Sequence, residues 1–177
     1  RIRMSIPRHS LVTMLGMQHR MNVRVHPDWE AQGFAWYRAI WIEAAELLDH
    51  YGYKWWKKQQ PDMAQVQLEV IDIWHFGMSA LLAVQLSAGA TVEDVADDIL
   101  AALQQHQPQP HDQGLREATE ALALHSLETR SFCPGRFWDL MTAAGLDYEA
   151  LFRAYVGKNV LNFFRQDHGY KEGHYQK

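Results

Sequence analysis

Two pairs of carboxylates, Glu43 with Glu46 and Glu69 with Asp72, each repeat the spacing i, i+3. In an α-helix, residues three positions apart lie on one face, about a turn from each other. If two such helices packed antiparallel, four acidic groups would converge, and they would repel each other unless a cation lay among them. Carboxylate oxygens favour a hard divalent cation, so the sequence predicts a magnesium site.

The residues around the second pair favour a functional site over a solvated helix face. Glu69 and Asp72 lie in an apolar run that includes Ile71, Ile73 and Trp74, and charges in such surroundings destabilise a fold unless they are paired or coordinated. One residue of the same run, His75, gives with Asp72 a near match to the Glu-x-x-His motif of di-iron bundles. Those sites need the motif twice and the sequence has no second copy, so we interpret His75 as a histidine of the core or behind the carboxylates.

Two further groups of polar residues allow two interpretations each. Gln18 and Asn22 form an i, i+4 amide pair that can read the edge of a planar base, or they are solvated residues on a helix flank. Between the carboxylate pairs, the segment 53–58 holds three lysines and two tryptophans. Those lysines can meet phosphate oxygens, or the segment is a surface turn whose tryptophans plug the edge of the core.

Helical periodicity and capping signals predict the helices that position these groups. They are expected near residues 10–22, 34–50, 61–86, 92–105, 115–130, 134–145 and 147–165. After the last helix, a modestly basic tail can close over an anionic ligand, as catalytic lids do, or is a frayed terminus. The predicted fold class is all-α: one compact helical bundle over residues 1–177, with a four-helix core that carries the metal site.

Composition narrows the class of protein. A length of 177 residues suits one domain, and the net charge of −4 argues against a general nucleic-acid binder. The single cysteine, Cys133, excludes an internal disulfide and a cysteine-based zinc site, and it suits a reducing compartment. The longest unbroken apolar run is far shorter than the roughly 20 residues of a membrane span, and no leader pattern is present. We therefore expect a soluble cytoplasmic protein.

Several motifs together resemble the all-α dimeric dUTPases, which are relatives of the MazG-like nucleoside triphosphate pyrophosphatases. The resemblance rests on Glu-x-x-Glu, a gap of 22 residues and Glu-x-x-Asp, together with GYKWWKK, DIWHF and GKNVLNFFRQDHGYKEG. It covers most of the chain, from Gln18 to Lys171.

The resemblance implies a role for each group of residues. The magnesium ligands would be Glu43, Glu46, Glu69 and Asp72. The residues that face the nucleotide from the loop would be Lys54, Trp55 and Lys57. The phosphate and sugar side would be formed by Lys158, Asn159, Asn162, Arg165, Tyr170 and Lys171. The uracil readers would be Gln18 and Asn22.

The resemblance also implies a reaction and an assembly. A homodimer would hydrolyse dUTP, with dUDP as a further candidate substrate, to give dUMP and pyrophosphate. A water held by a metal and a carboxylate would be the nucleophile, and Glu46 is preferred to Glu43 as its general base. The alternatives are a pyrophosphatase for other nucleotides, a di-iron carboxylate bundle, and a nucleotide-sensing module without turnover.

Overall fold

The computed structural model of the chain describes residues 6–108 and 114–167. Within these two ranges it contains seven α-helices, one short 3-10 turn at Trp29–Ala31 and no β-strand. The helices are α1 Arg8–Val25, α2 Trp36–Tyr51, α3 Met63–Ser87, α4 Val92–Gln105, α5 Leu115–Thr129, α6 Pro134–Ala143 and α7 Tyr148–Asp167. Every predicted helix is present with ends a few residues from those expected, so the all-α class is confirmed.

Local signals in the sequence set several helix ends. The side chain of Asp62 accepts a hydrogen bond from the N–H of Gln65 and so caps the start of α3. Thr91 and Asp94 form a reciprocal capping box at the start of α4. Gly52 follows α2 with a φ of 105°, in the region that favours glycine because it has no Cβ. Gly52 and Asp62 are the first and last residues of the loop between α2 and α3.

The helices α2 and α3 pack antiparallel. Trp36 at the start of α2 meets Phe76 in the second half of α3, with ring centroids 6.2 Å apart. At the other end, the carbonyl of His50 accepts a hydrogen bond from the N–H of Asp62 at 3.0 Å. The middle of α2 therefore faces the middle of α3, which is the arrangement that the two carboxylate pairs require.

The core is built around α3, which packs against α1, α2, α4, α6 and α7. Its buried Trp74 stacks on Phe137 with ring centroids 5.0 Å apart, and the indole N–H donates to the sulfur of Met14 at 3.4 Å. Gly77 lets the ring of Phe132 approach the helix, since a Cβ at this position would lie 2.5 Å from that ring. The residues of α3 are thus fixed from several sides.

By length and composition alone, α3 could cross a membrane. Half of the qualifying window is buried inside the fold, and the core helix of a soluble protein passes the same test. The sequence offers only short unbroken apolar runs because Glu69 and Asp72 interrupt this helix. Packing against five other helices accounts for the apolar character of α3.

Candidate active site

Three of the four predicted metal ligands meet between α2 and α3. Glu43, Glu69 and Asp72 each offer a carboxylate oxygen, and these oxygens all lie within 4.8 Å of one another. The Oε2 atoms of Glu43 and Glu69 are buried and accept a hydrogen bond from no described residue. Buried acceptors without donors are costly, and a hard divalent cation bound among them would satisfy them. This carboxylate cluster therefore fits the predicted metal.

The carboxylates of the cluster lie close enough together to shift each other's pKa. Burial, followed by the proximity of Glu69, raises the pKa of Glu43 to about 7. Glu46 is exposed beside the cluster, and the charge of Glu43 is the main cause that raises the pKa of Glu46. His50, for which no sequence motif predicts a role, has its Nε2 3.6 Å from Glu69 Oε1.

A lysine from α7 supplies positive charge to the carboxylate cluster. The ammonium group of Lys158 forms an ion pair with Asp72. Burial lowers the pKa of Lys158, while the negative charges of Glu43 and Glu69 oppose that change. The structure thus places a residue of the predicted phosphate side among the acids, where its charge partly offsets theirs.

An aromatic pocket of about 270 Å³ is lined by α1, α3, α7, the segment between α1 and α2, and the first residue of α2. Its aromatic lining consists of His26, Trp29, Phe34, Trp36, His75 and Phe76. Trp36 Nε1 is buried and has no hydrogen-bond acceptor within residues 6–108 and 114–167. Flat apolar walls with a few open polar atoms suit a planar base.

The carboxylate cluster and the aromatic pocket are neighbours on two helices. On α3, His75 lines the pocket about one turn after Asp72. On α7, Asn162 and Arg165 line the pocket about one and two turns after Lys158. Since one turn rises about 5.4 Å, the two sites are adjacent. A ligand with a base at one end and phosphates at the other can span both.

The predicted amide pair is buried, so its interpretation as a solvated helix flank is wrong. Asn22 is 6% exposed and lines the aromatic pocket, whereas Gln18 is 0% exposed and lies behind it. Gln18 Nε2 donates to Asn22 Oδ1 at 2.8 Å, and Gln18 Oε1 accepts from the hydroxyl of Tyr155 at 2.8 Å. Asn159, 1% exposed, belongs to the same buried layer through a 3.4 Å contact with that hydroxyl.

His75 has a place that the sequence pattern did not predict. It lies in the wall of the aromatic pocket, with its Nε2 3.3 Å from Gln18 Nε2. In the part of the chain that the structure describes, the group of side chains able to hold a metal contains acids and no histidine. The available signal was the motif DIWHF, in which a histidine and an aromatic residue follow a predicted metal ligand by one turn.

The loop between α2 and α3 lines a different groove. Lys54, Trp55 and Lys57 border a volume of about 510 Å³ together with Arg116 of α5. Trp55 is 89% exposed, so it does not plug the edge of the core. The structure brings these loop residues neither into the aromatic pocket nor into the carboxylate cluster, and their contact with a nucleotide stays a prediction. The predicted ligands Tyr170 and Lys171 lie outside the described residues.

Fold and site together define a class: an all-helical protein with a carboxylate cluster suited to a metal beside a pocket suited to a base. A family model described as dUTPase matches residues 10–170. No curated protein matches the chain. The chain belongs to the dUTPase family and is an enzyme of nucleotide metabolism that hydrolyses dUTP, a dUTP diphosphatase.

Proposed function

We propose that the protein catalyses the Mg²⁺-dependent hydrolysis of dUTP to dUMP and pyrophosphate. With dUDP as a second substrate, the same attack would give dUMP and phosphate. The observation that carries the proposal is the carboxylate cluster about one helical turn from the aromatic pocket on both α3 and α7. Base and phosphates of one nucleotide would occupy the two sites together.

The carboxylate cluster would hold the metal through Glu43, Glu69 and Asp72, with Glu46 at its exposed edge. When bound, a divalent cation neutralises phosphate charge and lowers the pKa of a coordinated water. The buried Oε2 atoms of Glu43 and Glu69, which no described donor satisfies, support this ligand set.

Glu46 is the residue that we assign as general base. It is exposed next to the carboxylate cluster, so a water near the phosphates can reach its carboxylate. The charge of Glu43 raises the pKa of Glu46, which brings its proton affinity closer to that needed near neutral pH. Glu43 itself has its Oε2 buried in the cluster and is better suited to be a ligand.

Basic and amide groups of α7 would bind the phosphates and sugar. Lys158 lies at the carboxylate cluster, and Arg165 and Asn162 line the aromatic pocket. Lysine meets phosphate as a point charge and arginine as a planar fork. The loop residues Lys54, Trp55 and Lys57, which border a separate groove, are proposed to add contacts to the nucleotide. The same is proposed for Tyr170 and Lys171.

A cytoplasmic homodimer completes the proposal. Several large apolar side chains are well exposed in the single chain, among them Val84 at 71% and Val160 at 59%. Where such side chains form a contiguous patch, a partner often covers it. Light scattering coupled to size exclusion would show twice the mass of the chain, and a monomer at micromolar concentration would contradict the homodimer.

The proposal is tested by changing two of its carboxylates. Glu46→Gln and Asp72→Asn should each lower pyrophosphate release from dUTP at least about 100-fold, because each removes a general base or a ligand. Circular dichroism should show an unchanged helical content. The control is Asp98→Asn, an exposed acid of α4, which should keep full activity. Full activity in either site variant would refute the assignment.

A nucleotide panel separates this function from the alternatives. Pyrophosphate release from dUTP, dCTP, dTTP and UTP is measured side by side with Mg²⁺. Equal rates would favour a pyrophosphatase of broad specificity, and binding of dUTP without pyrophosphate release would favour a sensing module. Iron found by elemental analysis of the purified protein would favour the di-iron alternative.

A further inference from the structure

A series of buried hydrogen bonds behind the aromatic pocket runs in one direction. It begins at the backbone carbonyl of His75, which can only accept, and Ser79 Oγ donates to this carbonyl at 3.0 Å. The oxygen of Ser79 is then left to accept, and Asn22 Nδ2 donates to it at 3.0 Å. With its nitrogen turned to Ser79, Asn22 presents Oδ1 to Gln18, whose Nε2 donates at 2.8 Å.

The opposite end of the series fixes the same direction. The hydroxyl of Tyr155 donates to Gln18 Oε1 at 2.8 Å, and burial raises the pKa of Tyr155, so the hydroxyl keeps its proton. Asn159 Nδ2 donates to the same hydroxyl oxygen at 3.4 Å, which leaves the hydroxyl hydrogen for Gln18. The second N–H of Gln18 faces His75 Nε2 at 3.3 Å.

The surroundings prevent the Asn22 amide from turning over. Gln18 and Ser79 are 0% exposed and Tyr155 is 1% exposed, so water cannot replace a lost bond. A flipped Asn22 would place its NH₂ group against the N–H of Gln18, and Ser79 could donate to the turned Oδ1 only by giving up the carbonyl of His75, which is costly in a buried site. Asn22 reaches the pocket with one acceptor position on Oδ1 and one N–H still open.

We propose that Ser79 and Tyr155 are positioning residues that make the pocket select uracil over cytosine, by holding the Asn22 amide in one of its two orientations. The inference rests on the proposed function, in which this pocket receives the base. Uracil presents an N3–H donor between two carbonyl acceptors, whereas cytosine presents an N3 acceptor beside an amino donor. The held amide pairs with N3–H and the O4 carbonyl of uracil, the position at which cytosine carries its amino group. Against cytosine it sets acceptor against acceptor and donor against donor, while a freely turning amide would pair with either base.

The test compares Ser79→Ala and Tyr155→Phe with wild type. The ratio of kcat/KM for dUTP to that for dCTP should fall by about tenfold or more in each variant, because sites built around fixed hydrogen bonds discriminate strongly. The change should appear mainly in KM for dUTP, since the carboxylate cluster is untouched.

Matched controls separate selection from general damage to the core. Ser126→Ala removes another buried hydroxyl that donates to a helical carbonyl, that of Ala123 at 2.7 Å. Tyr148→Phe removes a hydroxyl at the start of α7. Both controls should keep the wild-type ratio, although Ser126→Ala is expected to lower the melting temperature.

Calorimetric titration with dUMP and dCMP gives a second measure that needs no turnover. The proposal is supported if the variants bind dUMP more weakly than wild type does and if their ratio of dUMP affinity to dCMP affinity is smaller. If wild type prefers dUTP and both variants keep that preference, the positioning role is overturned while the proposed function stands. If wild type releases no pyrophosphate from dUTP, the proposed function itself fails. If Ser79→Ala does not fold, the nearly isosteric variant Tyr155→Phe tests the positioning role by itself.

Discussion

Without metal, the folded chain should lose stability as the pH rises through the range in which Glu43 ionises. The ordinary pKa of this carboxyl group is 4.5, and burial first and Glu69 second raise it to about 7 in the folded chain. Between these values the unfolded chain has released the proton while the folded chain retains it. The folded state binds more protons there, so the free energy of unfolding falls as the pH rises. This contribution is fully present below pH 4.5 and is lost above about pH 7.

The size of the loss follows from the pKa change and the burial of Glu43. At about 1.4 kcal/mol for each pKa unit, the full change is worth about 3 kcal/mol. Glu43 is only partly buried, and solvent screens the charge of a half-exposed group. We therefore expect a loss of about 1–2 kcal/mol from this residue between pH 5 and pH 8.

The assay is urea unfolding in EDTA at pH 5 and pH 8 for wild type, Glu43→Gln and a control. Because glutamine does not ionise, the free energy of unfolding of Glu43→Gln should fall by about 1–2 kcal/mol less than that of wild type between pH 5 and pH 8. The control, Glu120→Gln on the exposed face of α5, should follow wild type. Saturating Mg²⁺ at pH 8 should restore stability, since a ligand of the folded state stabilises it by mass action. Equal pH dependence in wild type and Glu43→Gln would refute the reasoning.

Three further changes probe the cation in the carboxylate cluster, the packing of α3 and a helix cap. Lys158→Met should lower the melting temperature in EDTA, because the acids lose a positive neighbour, and should lower it less in saturating Mg²⁺; equal effects would contradict this. Gly77→Ala should lower the free energy of unfolding in urea by about 1–3 kcal/mol, because the new methyl group clashes with the core. Gly157 has open space around it, so Gly157→Ala should leave the free energy of unfolding unchanged. Thr91→Ala should cost about 1 kcal/mol through the lost cap, and an effect no larger than that of the exposed Thr13→Ala would contradict the role of the capping box.

The helices could be predicted because their signals are local. Asp62, Thr91 and Gly52 act on backbone groups a few residues away, and apolar periodicity is read within a few turns. The spacing i, i+3 likewise placed each carboxylate pair on one helix face before any packing was known. The sequence left the antiparallel packing of these two helices as a condition, and the contact between Trp36 and Phe76 meets it.

The aromatic pocket and the buried layer behind it could not be predicted in the same way. Trp36, His75 and Asn162 come from three helices that are far apart in the sequence. Gln18 reads as a surface amide beside its neighbours in sequence, yet it is fully buried because Tyr155 of α7 and α3 cover it. No local pattern encodes such a contact, since it depends on how remote helices cross.

The sequence by itself determined the elements, the face on which each carboxylate pair lies and the chemistry that those acids favour. The tertiary structure decided that Lys158 joins the acids, that Asn22 and not Gln18 reaches the pocket, and that the loop with Trp55 borders a separate groove. The reason is physical: spacing along a helix fixes which residues share a face. Only the packing of whole helices fixes which faces meet.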